Sequence, residues 1–480
     1  MTERTVPPPA RNMTADAVSG TAAAAAAAAQ RWRGLPVSER AALVAQVWAE
    51  LYRRRQELAK VAHSETCKPI VEFSAMELAP VGLIVKYFTS NARRILGDQP
   101  ACVPWVMLNK KAYVRYAPRG VVGLITPWNF PFLIPFGDAV PAMIAGNAVL
   151  VKPSEWTSRT MQWTADAVRG TGLLPEGLFS VVTGDGSVGR EVLKASDMVL
   201  FTGSTRTGRS IAQEAGALLK PVVLELGGKH PMIVLNDAAL PRAAKAAVWG
   251  AFANCGQVCV GVERAFVEEE IHDAFVEAVR REMQRLRQGL SGEGVELGRL
   301  IFPPQFERVM DHLEDARAKG AAVFGGEVVD ADNLLIRPAL VTGATPEMKV
   351  MSEETFGPVL PVMKVSCAEE AVRLSNSGPY GLAASVWTTD LDRAERLAAM
   401  VEAGMVGVNE VLSHYAAPSL PFGGVKSSGL GRRHSDEGMR MFCHAQSVLV
   451  HEWPAGMADP WWFPYEGRKS RLVEWILRLG

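Results

Sequence analysis

The sequence predicts an α/β fold built on parallel sheet, and three observations carry that expectation. Short continuous apolar runs recur at 121–126, 148–152, 179–182 and 198–202. Helical patterns at 159–171 and 206–217 separate several of them. A second series follows, with strand-like runs at 231–235, 264–267 and 360–365 and helical patterns at 237–253, 271–287, 306–319, 369–376 and 391–400. Strands that are apolar on both faces and alternate with helices need cover on both sides, which helical layers around a parallel sheet provide.

In chain order, the first dozen residues hold three consecutive prolines and read as a mobile arm. The eight alanines at 22–29 read as helix, Ala being the best helix former. A helix is expected over 38–60, with Ser38 as its cap and Leu43, Val47, Leu51 and Leu58 as its buried stripe. A strand at 113–117 ends before Pro118. The break between the two α/β halves is expected near Leu226-Gly-Gly, with Gly423-Gly-Val-Lys as a return crossing. No internal repeat of fixed period is visible.

Composition excludes several function classes. The 480 residues carry 51 basic and 51 acidic side chains, so the formal net charge is zero, whereas a general nucleic-acid surface needs an excess of Lys and Arg. Six cysteines in a chain of this length are not a disulfide scaffold and fit a reducing compartment. The N-terminus lacks the charged-then-apolar order of a secretory signal. The longest apolar run, 121–144, is interrupted by Pro127, Asn129, Pro131, Pro135 and Asp138, so it does not read as a membrane span. The chain is expected to be cytoplasmic.

Four places could carry chemistry. Cys255 and Cys259 stand four apart after a helix and could share one helix face. Without a CxxC or a nearby His they do not make a zinc site, and no metal is expected. Either thiol could be an inert buried group or, in the Gly-Gln loop, a nucleophile. Glu225 lies between apolar residues at a strand end. Burial there would raise its pKa toward that of a general base, and an exposed strand-edge Glu is the alternative. Asn129, between prolines and aromatics, could donate to an oxyanion or simply form a turn. Among the glycine signals, Gly184-Asp-Gly-Ser-Val-Gly lacks the acid that a Rossmann fingerprint requires, since Arg209 falls at the position twenty residues on. Gly203-Ser-Thr-Arg-Thr-Gly follows a strand and opens a helix, where backbone N–H groups and Ser204 could hold a pyrophosphate. Gly423-Gly-Val-Lys is not a P-loop, because Val425 precedes the Lys.

Seven motifs occur in order: Pro127-Trp-Asn-Phe-Pro, Lys152-Pro-Ser-Glu, Phe201-Thr-Gly-Ser-Thr, Glu225-Leu-Gly-Gly-Lys, Gly256-Gln-Val-Cys, Glu354-Thr-Phe-Gly-Pro and Pro421-Phe-Gly-Gly-Val-Lys. Together they resemble the NAD(P)-dependent aldehyde dehydrogenase superfamily over 21–452. The resemblance implies a Rossmann-like cofactor domain (1–98 and 119–225), an α/β catalytic domain (226–422) and a small β oligomerisation arm (99–118 and 443–452). Residues 423–442 return to the cofactor domain, and 453–480 extend beyond the family pattern. A homodimer or homotetramer is implied.

By motif, Cys259 resembles the nucleophile, Asn129 with the backbone N–H of Cys259 the oxyanion donors, and Glu225 the general base. For the cofactor, Lys152 and Glu155 match the positions that hold the adenosine ribose, Gly203 and Ser204 the pyrophosphate loop, and Glu354 the nicotinamide ribose, with Phe356 beside it; Trp128 is also expected to bind the cofactor. The implied reaction is oxidation of a small-molecule aldehyde through a cysteine thioester, followed by hydrolysis. The presence of Glu225 favours water over CoA as the acyl acceptor. Glu155 favours NAD, because a carboxylate repels a 2′-phosphate. NADP remains an alternative, since Arg206 stands where many NAD-preferring members carry an acid. A semialdehyde-specific enzyme, a CoA-acylating one and a non-catalytic protein of the same fold are the alternatives.

Two departures stand out. Cys67 replaces a usual Gly, with consequences expected for packing. The tail holds Trp453, Trp461, Trp462, Phe463 and Tyr465, and would place Leu472, Trp475, Ile476 and Leu479 on one helical face beside Arg468, Lys469, Arg471 and Arg478. Such a helix could dock on its own or a partner subunit. It could also lie on a membrane surface or over the substrate entrance, which would suit an apolar or long-chain aldehyde.

Overall fold

The computed structural model describes residues 9–292, 294–452, 459, 461–464 and 467–478. Two sheets dominate. The first runs Gly429–Leu430, Val222–Glu225, Met198–Thr202, Val121–Ile125, Ala148–Lys152, Phe179–Val181 across its six strands. All its pairings are parallel except the first. The second runs Ala322–Gly325, Ala339–Thr342, Val359–Val365, Val262–Glu268, His230–Val234, Ala383–Trp387, Met405–Val408 across its seven, and only its first pairing is antiparallel. The central strands are buried at every residue, as strands covered on both faces must be. The chain passes from one sheet to the other between Glu225 and His230, and Gly429–Leu430 brings it back beside Val222–Glu225.

A third sheet of three strands, Gln99–Ala101, Lys110–Pro118 and Cys443–His451, stands apart, with Lys110–Pro118 in the middle. Pro118 is the last residue of its strand, one position further than the sequence suggests; a proline is tolerated at a strand end because its missing N–H interrupts little of the ladder.

The helical layer departs from expectation at several points. The helix expected over 38–60 is two helices, Val37–Arg53 and Arg55–Thr66, broken where Arg54 leaves helical geometry (φ −95°, ψ 16°). Ser38 does not cap it. Pro36, in extended geometry, precedes the first turn instead. Val44, Val47, Leu51 and Leu58 are the fully buried stripe, and Leu43 sits at its margin, half-buried. Cys67 ends the second helix in the left-handed region (φ 53°), the conformation that glycine adopts without strain.

The described part of the N-terminal arm is docked. Ala10 N–H donates to the Glu155 carbonyl at 2.8 Å, Met13 N–H to Thr183 at 2.9 Å, and Asn12 accepts from Asp185 N–H at 2.9 Å.

In the tail, Arg468–Leu477 is a helix whose Trp475 makes an edge-on contact (5.3 Å) with Trp105, in the turn between the first two strands of the small sheet. Asp459 takes bonds from Asn109 and Lys110 at 2.8 and 2.6 Å. Leu472 and Ile476 are half-buried, while Trp475, Val473 and Leu477 are exposed. Trp453, Tyr465 and Leu479 lie outside the described residues. Among those described, no helix is long and apolar enough to cross a membrane.

Candidate active site

The two cysteines do not share a helix face. The helix Leu240–Phe252 ends before them, and Asn254 (φ 50°), Cys255 (φ 55°) and Gly256 (φ 72°) turn the chain through left-handed geometry. This separates their surroundings. Cys255 is buried at 1% exposure, and burial pushes its thiol far up. Cys259 is only partly covered. Burial pushes its thiol up to about 12, Arg433 pulls it down, and Glu225 and Glu354 push it up.

Gln257 pins this turn. It is fully buried; its amide donates to the Asn254 carbonyl at 2.8 Å and accepts from Ile301 N–H at 2.8 Å. Its own carbonyl accepts from the side-chain amides of Asn129 (2.9 Å) and Asn254 (3.1 Å). Asn129 therefore spends one N–H on the loop that carries Cys259 and retains the other. Its main-chain carbonyl accepts from Lys68 Nζ and from Asn254, both at 2.9 Å. Its Oδ1 is buried without a partner among the described residues. Lys68 is in turn paired with the buried Glu77, which accepts the N–H groups of Phe132 and Leu133 (2.9 and 3.0 Å) at the start of the helix Leu133–Ile144.

Glu225 closes its strand at 3% exposure, so it is not an exposed edge residue. Neither carboxylate oxygen has a hydrogen-bond partner among the described residues. Burial raises its pKa to about 8; Arg433 opposes that rise and Asp138 adds to it. Space for the carboxylate depends on Gly423, where a Cβ would stand 2.9 Å from Glu225 Oε1.

Glu354 accepts from Gly228 N–H at 2.8 Å, and burial raises its pKa to about 7. A Cβ on Gly227 would press within 2.6 Å of it. The following residues hang on Glu263, which accepts Thr355 N–H at 2.9 Å and Phe356 N–H at 2.7 Å and is paired with Lys229 at 2.7 Å. Phe356 packs edge-on to Trp128 (5.5 Å), and Phe302 lies near both Trp128 (5.8 Å) and Trp156 (5.4 Å).

At the end of Ala148–Lys152, the buried Lys152 ammonium reaches Glu155 at 3.4 Å. Burial lowers its pKa and Glu155 opposes that. Gly203 leads into the helix Thr205–Ala217, and the Ser204 hydroxyl accepts from Thr207 N–H at 3.3 Å. The first N–H groups of a helix have no intrahelical partner, which makes such an end a natural anion acceptor. A buried cation, two carboxylates, a helix N-terminus and an aromatic pair form a donor set that suits a dinucleotide. Among the described residues no group of three or more His, Cys, Asp or Glu side chains could hold a metal.

The sequence alone gives no role to Lys68, Glu77, Asn254, Glu263, Phe302, Asp138 or Arg433, and points to Gln257 only as part of the Gly-Gln loop. One signal was present for Asp138: it is a carboxylate inside a helix, Leu133–Ile144, that is otherwise apolar and buried on every side.

Known proteins resemble this chain over most of its length. The model of the aldehyde dehydrogenase family matches residues 5–448. A 4,4'-diapolycopene aldehyde oxidase of Methylomonas is 39% identical, the match covering 91% of this chain and 82% of the relative. A Mycolicibacterium smegmatis protein provisionally named a succinate-semialdehyde dehydrogenase (NADP(+)) is 37% identical, covering 91% and 85%. The crystal structure of a Mycobacterium tuberculosis aldehyde dehydrogenase complexed with NAD+ superimposes with a TM-score of 0.86 at 32% identity, covering 93% of this chain and 92% of that one.

Proposed function

The chain belongs to the aldehyde dehydrogenase family, and we propose that it oxidises an aldehyde to the carboxylic acid with NAD, through a thiohemiacetal and then a thioester on Cys259. The observation that carries the reading is the tether of Asn129 to the loop of Cys259. Asn129 is bonded to that loop through Gln257, and Glu225 lies buried with both oxygens unpartnered among the described residues. The thiolate attacks the carbonyl carbon. The free N–H of Asn129 and the backbone N–H of Cys259 hold the alkoxide, the place where preorganised donors act most strongly. Bound nicotinamide supplies the hydride acceptor. Glu225 then takes a proton from water, which attacks the thioester and releases the acid and the thiol. Lys152, Glu155, Gly203, Ser204, Glu354, Phe356 and Trp128 hold the dinucleotide, and Glu155 disfavours a 2′-phosphate.

We assign an apolar or long-chain aldehyde as substrate. The 39% identity to a 4,4'-diapolycopene aldehyde oxidase supports this, as do the exposed apolar side chains of the tail helix. The 37% identity to the provisionally named succinate-semialdehyde dehydrogenase favours a semialdehyde as the second reading. Initial rates of NADH formation against alkanals of rising length and against succinate semialdehyde separate the two, with Cys259→Ala as the control. Rates that rise with chain length support the first reading. A preference for the semialdehyde supports the second, and undiminished turnover by Cys259→Ala contradicts the thiol mechanism itself.

The cofactor domain is assigned to 1–98 and 119–225, and the catalytic domain to 226–422 with return through 423–442. The arm, 99–118 and 443–452, joins subunits into a homodimer or homotetramer; the exposed outer strand Cys443–His451 supports this. Six free cysteines support a cytoplasmic setting. The basic, apolar tail helix supports a peripheral membrane contact.

A further inference from the structure

Beside Glu225 lies a buried guanidinium that the mechanism above does not use. Arg433 is 2% exposed and held from several elements. It donates to the Thr202 hydroxyl at 2.6 Å, at the end of Met198–Thr202, and to the Tyr415 hydroxyl at 3.3 Å. It pairs with Asp138 of the helix Leu133–Ile144 at 3.2 Å. Its backbone is fixed by reciprocal hydrogen bonds with Phe422, both at 2.8 Å. Next along the chain, His434 is buried, contacts the Tyr415 ring at 4.6 Å, and is kept neutral by burial and by Arg433, with its pKa lowered to about 3. The guanidinium is thus clamped on one side. On the other, its Nε has no partner among the described residues and faces Glu225 Oε1 at 3.8 Å.

We infer that Arg433 is a positioning residue for hydrolysis: a clamped cation that supports the negative charge of Glu225 across a gap too wide for a hydrogen bond, leaving both carboxylate oxygens free for water. This rests on the proposed role of Glu225 as base. The gap is the essential feature. At hydrogen-bond distance the guanidinium would occupy the lone pairs that must take the proton. Removed altogether, it would leave a fully buried carboxylate with Asp138 as a like-charged neighbour and Arg432 as its remaining cation. Asp138 tunes the device, because it competes with Glu225 for Arg433 and repels Glu225 directly. The same cation bears on Cys259, where Glu225 and Glu354 act in the opposite sense.

The test titrates Glu225 with and without its neighbours. One readout needs no substrate: the melting temperature of each protein against pH, compared with the same protein carrying Glu225→Gln, locates the pH window in which Glu225 loses its proton. The other is the pH dependence of steady-state NADH formation, set beside the size of its initial burst. Arg433→Met moves both windows up by about one pH unit or more, the usual size of one opposite charge. It slows turnover about tenfold near neutrality, while a burst of NADH persists. Asp138→Asn moves them down, and Arg433→Lys falls between wild type and Arg433→Met. Opposite displacements by the two neighbours are not expected of a merely structural pair. Windows that stay put, or that move in the same direction in Arg433→Met and Asp138→Asn, overturn the proposal. If Arg433→Met does not fold, Arg433→Lys and Asp138→Asn decide. Melting windows that move as stated while no aldehyde yields NADH would uphold the pairing and refute the dehydrogenase reading.

Discussion

The side-chain amide of Asn129 donates to the carbonyl of Gln257 at 2.9 Å, two residues ahead of Cys259. The proposed oxyanion donor and the proposed nucleophile, 130 positions apart in the chain, therefore share one rigid turn. Catalysis by preorganised donors requires such a fixed distance. Asn129→Ala removes both the tether and the free N–H. We expect turnover to fall by about 10²–10³-fold, the usual loss for one such donor, as measured by NADH formation under saturating aldehyde.

The two cysteines of the turn should differ in reactivity. Cys259 is partly covered and under the influence of a cation, whereas Cys255 is sealed at 1% exposure. Iodoacetamide at pH 8 followed by peptide mass analysis is expected to label Cys259 and spare Cys255. Equal labelling of the two in folded protein would show that the turn does not separate them as described.

Cofactor choice should follow Glu155. Its carboxylate lies 3.4 Å from the Lys152 ammonium, and in the proposed cofactor site it would repel a 2′-phosphate. Glu155→Gln is expected to lower the KM for NADP by about tenfold and to change the KM for NAD less. Steady-state kinetics with both dinucleotides checks this.

Stability should carry the imprint of the buried base. The pKa of Glu225 is raised from 4.5 to about 8, so between those values the folded protein holds a proton that the unfolded chain has already released. Folding stability therefore falls as pH rises through that window. Glu225→Gln has no proton to lose and escapes the decline. Its melting temperature is expected to exceed that of wild type by an amount that grows from pH 5 to pH 8 and then levels off. A difference that shrinks as pH rises would contradict the assignment of a raised pKa.

How much could be read in advance depends on where each role originates. The parallel strands were legible because an apolar run such as 121–125 or 198–202 has one stable destination, a sheet covered on both faces. Cys259, Glu225 and Asn129 could be nominated because each sits in a local motif. The turn at Asn254 and Cys255 could not, since left-handed geometry at non-glycine residues depends on contacts a local motif does not show, here the Asn254 amide bonded to the carbonyls of Gln257 and the distant Asn129. Ser38 does not cap its helix, although a serine before an apolar stripe is the usual signal, because Pro36 already sets the entry angle. Lys68, Glu77 and Arg433 were invisible for another reason. A charged residue in sequence reads as surface, and only the fold reveals that Lys68 and Glu77 are buried against each other and that Arg433 is buried against two carboxylates.

The central claim is that Glu225 acts only after a thioester has formed on Cys259. Rapid mixing of Glu225→Gln with NAD and an alkanal tests it most directly, with NADH followed in time and the protein mass taken at the plateau. The account predicts a burst of one NADH per subunit, then near-arrest, with an acyl adduct on Cys259. Continued turnover at the wild-type rate, or a plateau with Cys259 unmodified, would contradict it.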